Sequence, residues 1–80
     1  MKLYLKSGQV KQLNRLETID LMDIQYGVGN HYEKDKDDEH IYHQEIYYLC
    51  SQNKNKIIEF YYGDCEIFIT NTSEIVGIEV

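Results

Sequence analysis

The stretch 45-EIYYLCSQNKNKIIEFYYGDCEIFIT-70 decides how the rest of the chain is read. Residues 45–50, 57–62 and 65–70 are rich in β-branched and aromatic side chains, so each reads as a strand. The connection 51–56 is wholly polar. Gly63-Asp64 is a two-residue hairpin signal, because Gly supplies the positive φ that such turns need. Pairing the strands outward from these turns sets Leu49 against Ile58 and then Ile69, and Tyr47 against Phe60 and then Ile67. Side chains alternate with period two, so these residues share one apolar face. The opposite face carries Cys50, Ile57 and Thr70, then Tyr48, Glu59 and Phe68, then Ile46, Tyr61 and Glu66. One apolar and one mixed face is the pattern of an antiparallel sheet buried on one side.

Toward the N-terminus, residues 1–6 alternate, with Leu3 and Leu5 on one side. Ser7-Gly8-Gln9 turns the chain into a second strand at 10–13. Residues 14–26 carry two patterns. Asn14 with Glu17 resembles a capping pair, and Leu16, Ile19, Met22 and Tyr26 recur near helical spacing. Yet Ile19 and Leu21, then Met22, Ile24 and Tyr26, alternate as a strand would, with a slip at Leu21-Met22 that a β-bulge produces. The strand is favoured, because a helix puts Asp23 on its apolar stripe. Residues 27–40 form a long polar, acidic loop, of the kind that is either functional or a plain solvated insertion. Residues 41–50 then enter the central sheet. Asn71, Thr72 and Ser73 suit one helical turn, and 75–80 make a last strand with Val76, Ile78 and Val80 on one face. The expected fold is a single all-β domain spanning 1–80. It is a small antiparallel sheet or partly open barrel of five to six strands, the alternative being α+β with one helix at about residues 15–26.

A chain of 80 residues buries only about 60% of the surface its unfolded form exposes. Most of its apolar residues are needed for the core, which leaves little to line a catalytic pocket. The net charge is −6, from 14 acids against 8 Lys and Arg. Such a surface repels free nucleic acid and suits a basic partner, although net charge also serves solubility alone. No apolar run reaches the ~18 residues of a membrane span. The N-terminal apolar stretch is too short for a signal peptide, so the cytoplasm is the expected compartment. In the register above, Cys50 and Cys65 lie on opposite faces roughly 17 Å apart, too far for a disulfide. Both read as reduced, partly buried thiols.

The order strand, hairpin, strand, polar turn and short final strand over 47–80 is similar to that of SH3-like small barrels. Abundant Ile, Lys, Asn and Tyr, without Ala or Pro, match AT-rich coding DNA. In this the chain resembles the small orphan proteins of bacteriophages and mobile elements of low-GC bacteria. Many of those are anti-CRISPR or other anti-defence proteins that bind and inhibit a host protein. That resemblance implies a phage-type inhibitor of a host protein.

Catalytic chemistry finds no constellation. Ser7, Ser51 and Ser73 lie in turns without a nucleophile elbow, and neither cysteine has a neighbouring His or cationic cluster. Gly27-x-Gly29 lacks the third glycine of a phosphate loop. His40-x-x-His43, with His31 and nearby acids, has zinc-type ligands. On a strand, however, positions i and i+3 point apart, so no metal and no cofactor is expected. Tyrosine stands out, with 8 residues that include the pairs Tyr47-Tyr48 and Tyr61-Tyr62. The register sets Tyr48 diagonal to Tyr61 beside Glu59, a surface suited to protein binding. A second buried face and a homodimer through the same residues are the alternatives. The expected function is a non-catalytic protein-binding module, with Glu33, Asp35, Asp37, Asp38, Glu39, Tyr48, Glu59, Tyr61 and Glu66 as its partner-binding residues. In the sharper form the carboxylates imitate phosphates and occlude the nucleic-acid site of a host protein, with no direct nucleic-acid binding. The alternative is an SH3-like or LSm-like module that contacts nucleic acid or a peptide through Lys2, Lys6, Lys11 and Arg15.

Overall fold

The computed structural model describes residues 1–29 and 39–80. It is mostly β, with two sheets and one short helix. The N-terminal hairpin forms as its sequence demands. β1 (Lys2–Leu5) and β2 (Val10–Gln12) pair antiparallel across a turn in which Gly8 has φ 91°. Leu3 and Leu5 point inward and are buried.

Residues 14–26 hold no helix. They contain β3 (Thr18–Leu21) and the start of β4 (Ile24–Val28), paired antiparallel. The slip at Leu21-Met22 is a two-residue hairpin turn, not a bulge. Met22 and Asp23 both take positive φ, 53° and 66°, the signature of the type I′ turn that matches strand twist. Gly27 and Val28 belong to β4, and β5 (Glu39–Ile41) pairs with it in parallel, so the expected 27–40 loop is shorter at both ends. The acidic residues 33–38 lie outside the described residues.

The largest departure is at 45–50. After a 3-10 turn at His43–Glu45, residues Ile46–Gln52 form helix α1. Ile46 and Cys50 are buried and Leu49 is half-buried, whereas Tyr47 and Tyr48 are exposed. That spacing is i, i+3, i+4, the stripe by which a helix docks. Glu45 Oε2 accepts a hydrogen bond from the Tyr42 N–H at 3.2 Å. At the other end Asn53 Nδ2 donates to the Leu49 carbonyl at 2.9 Å, which satisfies a C-terminal acceptor that has no partner within the helix.

β6 (Ile57–Tyr62) and β7 (Glu66–Asn71) form the expected hairpin, but one residue out of the expected register. The loop is Gly63-Asp64-Cys65, with Gly63 at φ 57° and Cys65 at φ 64°. Phe60 therefore pairs with Phe68, Glu59 with Ile69, and Tyr61 with Ile67. A one-residue slip turns every side chain of a strand over. Ile67 and Ile69, expected in the core, point to solvent, and Phe68 takes the inner place, its ring stacked 6.4 Å from Phe60.

A 3-10 turn at Thr72–Glu74 follows, with the Asn71 side chain accepting from the Ser73 N–H at 2.9 Å, as its sequence suggests. β8 (Ile75–Glu79) returns to pair with β1. A register shift between Tyr4 and Leu5 sets Leu5 opposite Ile75 and Leu3 opposite Ile78. The inward residues of β8 are thus Ile75 and Ile78, while Val76 and Val80 are exposed.

The strands lie in the orders β2-β1-β8 and β5-β4-β3-β6-β7. Leu3, Leu5, Leu13 and Ile75 from the first sheet and its flanks share one core with Ile19, Leu21, Ile58 and Phe60 from the second, completed by Ile46 and Cys50 of α1. Thr72 is the buried polar residue of this core. Its hydroxyl accepts from the Lys56 N–H at 3.1 Å and donates to the Asn53 carbonyl at 2.5 Å. The 53–56 turn is thereby tied to the 3-10 turn that precedes the last strand. Both cysteines are free thiols. Cys50 is buried, and that burial pushes its pKa up to about 11; Cys65 is exposed, contrary to expectation.

Candidate functional site: the outward face of the larger sheet

The core covers only one face of the five-stranded sheet. Its other face is composed by the register. One row across the strands reads Ile69, Glu59, Asp20 and Gln25; the next reads Ile67, Tyr61, Thr18 and Gly27. Ile57 stands beside them at the end of β6. Ile57, Ile67 and Ile69 are 60%, 52% and 57% exposed. Three β-branched apolar side chains grouped on one solvent face are a feature that folding alone does not require.

Two carboxylates sit within this patch. Asp20 and Glu59 are direct cross-strand neighbours, an arrangement that costs stability for like charges. Among the described residues neither has a cation within ion-pair distance; Arg15 pairs instead with Asp64 at 2.9 Å. Asp20 Oδ1 is shielded from water and has no hydrogen-bond partner among the described residues. Tyr61 donates its hydroxyl to Glu59 Oε2 at 2.7 Å. That bond, with burial and the charges of Glu59 and Asp20 adding to it, holds the phenol proton and pushes the Tyr61 pKa up to about 12. Beside the pair, an open depression of about 330 Å³ is lined by Asp20, Met22, Asp23, Lys56, Ile57 and Glu59. Its lining joins three carboxylates and two apolar side chains with one lysine, Lys56.

The structure brings together two of the expected binding residues, Glu59 and Tyr61. Tyr48 is not diagonal to Tyr61; it is 68% exposed on α1, away from the sheet face. It helps line a separate hollow of about 500 Å³ between α1 and the β4–β5 side, with Tyr26, His40 and Gln52. Phe68, expected beside Tyr48, faces inward. Glu66 pairs with Tyr62 at the hairpin end, in step with the inner row, and is exposed there. Glu39 is exposed on β5, at the opposite edge of the sheet from β7. Glu33, Asp35, Asp37 and Asp38 lie outside the described residues, as does His31. Among the described residues no three His, Cys, Asp or Glu side chains come together as metal ligands. None of the described helices is long and apolar enough to cross a membrane.

The sequence reading missed Ile67, Ile69 and Asp20 as surface residues of this site. Asp20 carried a signal, since it alternates with buried Ile19 and Leu21. Ile67 and Ile69 became visible only once the loop length was known. No family model, curated protein or solved structure matches this chain.

Proposed function

We propose that this protein is a non-catalytic protein-binding module whose docking surface is the outward face of the larger sheet. The row Ile69–Glu59–Asp20 carries the reading: an exposed apolar side chain lies beside two carboxylates that, among the described residues, pair with no cation. A partner that presents apolar residues around a Lys or Arg gains on both counts. Its cation relieves the Asp20–Glu59 repulsion, and its apolar groups cover the isoleucines. The net charge of −6 draws such a partner in. With the AT-rich composition, the reading extends to a phage or mobile-element inhibitor that occludes a basic site on a host protein. The nucleic-acid alternative has less to stand on. Of its four candidate cations, Arg15 is paired with Asp64, and Lys11 Nζ lies 5.5 Å from the Phe68 ring centroid and 5.8 Å from that of Tyr62.

Affinity capture tests the reading. Tagged wild-type protein and the variants Asp20→Asn with Glu59→Gln, and Ile67→Thr with Ile69→Thr, are passed over lysate of the organism that carries the gene. A protein retained by wild type and lost by both variants is expected, with retention weakening between ~50 and 500 mM salt as exposed charges are screened. Retention that neither variant changes would rule out this face.

A further inference from the structure

The larger sheet ends at β7, and the phase of its ladder shows what that edge offers. The Thr72 N–H donates to the Lys56 carbonyl at 2.8 Å. The pairs in step with it, Ile58–Thr70, Phe60–Phe68 and Tyr62–Glu66, are therefore the hydrogen-bonded ones. The intervening residues, Ile67 and Ile69, aim their peptide N–H and C=O groups away from β6. Among the described residues no strand pairs with that edge. Positions 29 and 39, which flank the undescribed segment, belong to the opposite edge of the sheet. β7 runs six residues without a register shift and carries no Lys and no Pro. Among the described residues the usual devices that blunt an edge strand are thus missing apart from Glu66 at its start. The same two residues whose backbone is open also present the exposed isoleucine side chains.

We propose that the β7 edge accepts an extended segment of a basic partner as a further strand of the sheet. This deepens the binding-module reading and rests on it. The added strand's residues opposite Ile67 and Ile69 exchange backbone hydrogen bonds with them and share the outward face, so apolar side chains fit there. Its alternate residues fall in the row of Glu66, Phe68 and Thr70, and a Lys or Arg opposite Glu66 finds an opposite charge there. The fitting segment alternates apolar residues with hydrophilic ones and carries a cation opposite Glu66. A second copy of this chain is the poorer occupant, because it brings another six negative charges.

The probe is a capped peptide of alternating lysine and valine, titrated into the isotopically labelled full chain and read by amide exchange. Saturable binding is expected, with Ile67 and Ile69 amide exchange slowed by about tenfold or more. A peptide N-methylated on its valines, whose N–H groups face β7, is expected not to bind, and one N-methylated on its lysines to bind as before. Unchanged Ile67 and Ile69 exchange at saturation, equal binding of the valine-methylated peptide, or no binding at all would each overturn strand addition. If the peptide instead perturbs Asp20, Glu59 and Ile57, the face reading survives and the edge reading does not. Protection of Ile67 and Ile69 that rises with protein concentration alone would assign the edge to a second copy and overturn the basic partner.

Discussion

The same substitution at two isoleucines separates the observed hairpin from the one its turn residues suggest. Ile58 is fully buried, whereas Ile69 is 57% exposed. A two-residue turn would make them partners in one core layer. Replacing Ile by Thr keeps the β-branch and strand preference and exchanges the ethyl branch for a hydroxyl, so one methylene is lost and an O–H stands where the next carbon was. At Ile58 the lost methylene costs ~1 kcal/mol and the hydroxyl, buried without a partner, ~1–3 kcal/mol more. Ile58→Thr should therefore lose about 3 kcal/mol, a Tm drop of about 12–24 °C for a domain of this size. At Ile69 the hydroxyl stays wet. Only 43% of the residue (100 − 57) is covered, so the ~0.8 kcal/mol of a fully buried methylene shrinks to ~0.3 kcal/mol. Urea unfolding followed by circular dichroism reads both variants, with an unchanged m-value as the check that each loses stability and not compactness. A loss of about 2 kcal/mol or more for Ile69→Thr would refute the outward placement of β7's isoleucines.

Thr72→Val should cost about 2 kcal/mol, since it strands the Lys56 N–H and Asn53 carbonyl inside the fold, whereas Thr72→Ser keeps most of that stability; chemical denaturation compares them. Replacing Met22-Asp23 by Asn-Gly should raise stability by about 0.5–1 kcal/mol, because both positions hold positive φ and the side chains there are exposed; a thermal melt shows the gain or its absence. Glu59→Gln should bring one tyrosine back from about 12 toward the ordinary 10, visible in a phenolate absorbance titration. The sign follows from the folded pKa being the higher. The Tyr61–Glu59 bond adds stability fully below the unfolded value near 10 and loses it as pH rises through the folded one.

Local chemistry made parts of the fold legible. Gly8 announced the first hairpin, and Asn71 with Ser73 announced the 3-10 turn before β8. The alternation of Ile19 and Leu21 marked β3. Elsewhere two local signals competed. Residues 46–52 carry strong β-formers, Ile and two Tyr, yet Ile46, Leu49 and Cys50 also fall at helical spacing, and tertiary burial of that stripe decides for the helix. The turns at Met22-Asp23 and Cys65 place non-glycine residues in the left-handed region, so turn length could not be read from a glycine. At Cys65 this hid a single residue of loop, which was enough to reverse β7. The site inherited the error. Glu59 and Tyr61 fall together on the mixed face in both the sequence pattern and the structure, because both lie on β6, whose alternation is unambiguous. Ile67 and Ile69 read as core residues from a two-residue turn, because they lie beyond the loop whose length Cys65 hides.

Cross-strand proton contacts across the β6–β7 hairpin test the arrangement of this face most directly. In non-hydrogen-bonded antiparallel pairs the Cα atoms approach to about 4.5 Å, and their Hα protons give strong nuclear Overhauser effects. The observed register requires these between Glu59 and Ile69 and between Tyr61 and Ile67. Strong effects between Glu59 and Phe68 and between Tyr61 and Glu66 would instead restore the two-residue turn, return both isoleucines to the interior, and remove the proposed docking face.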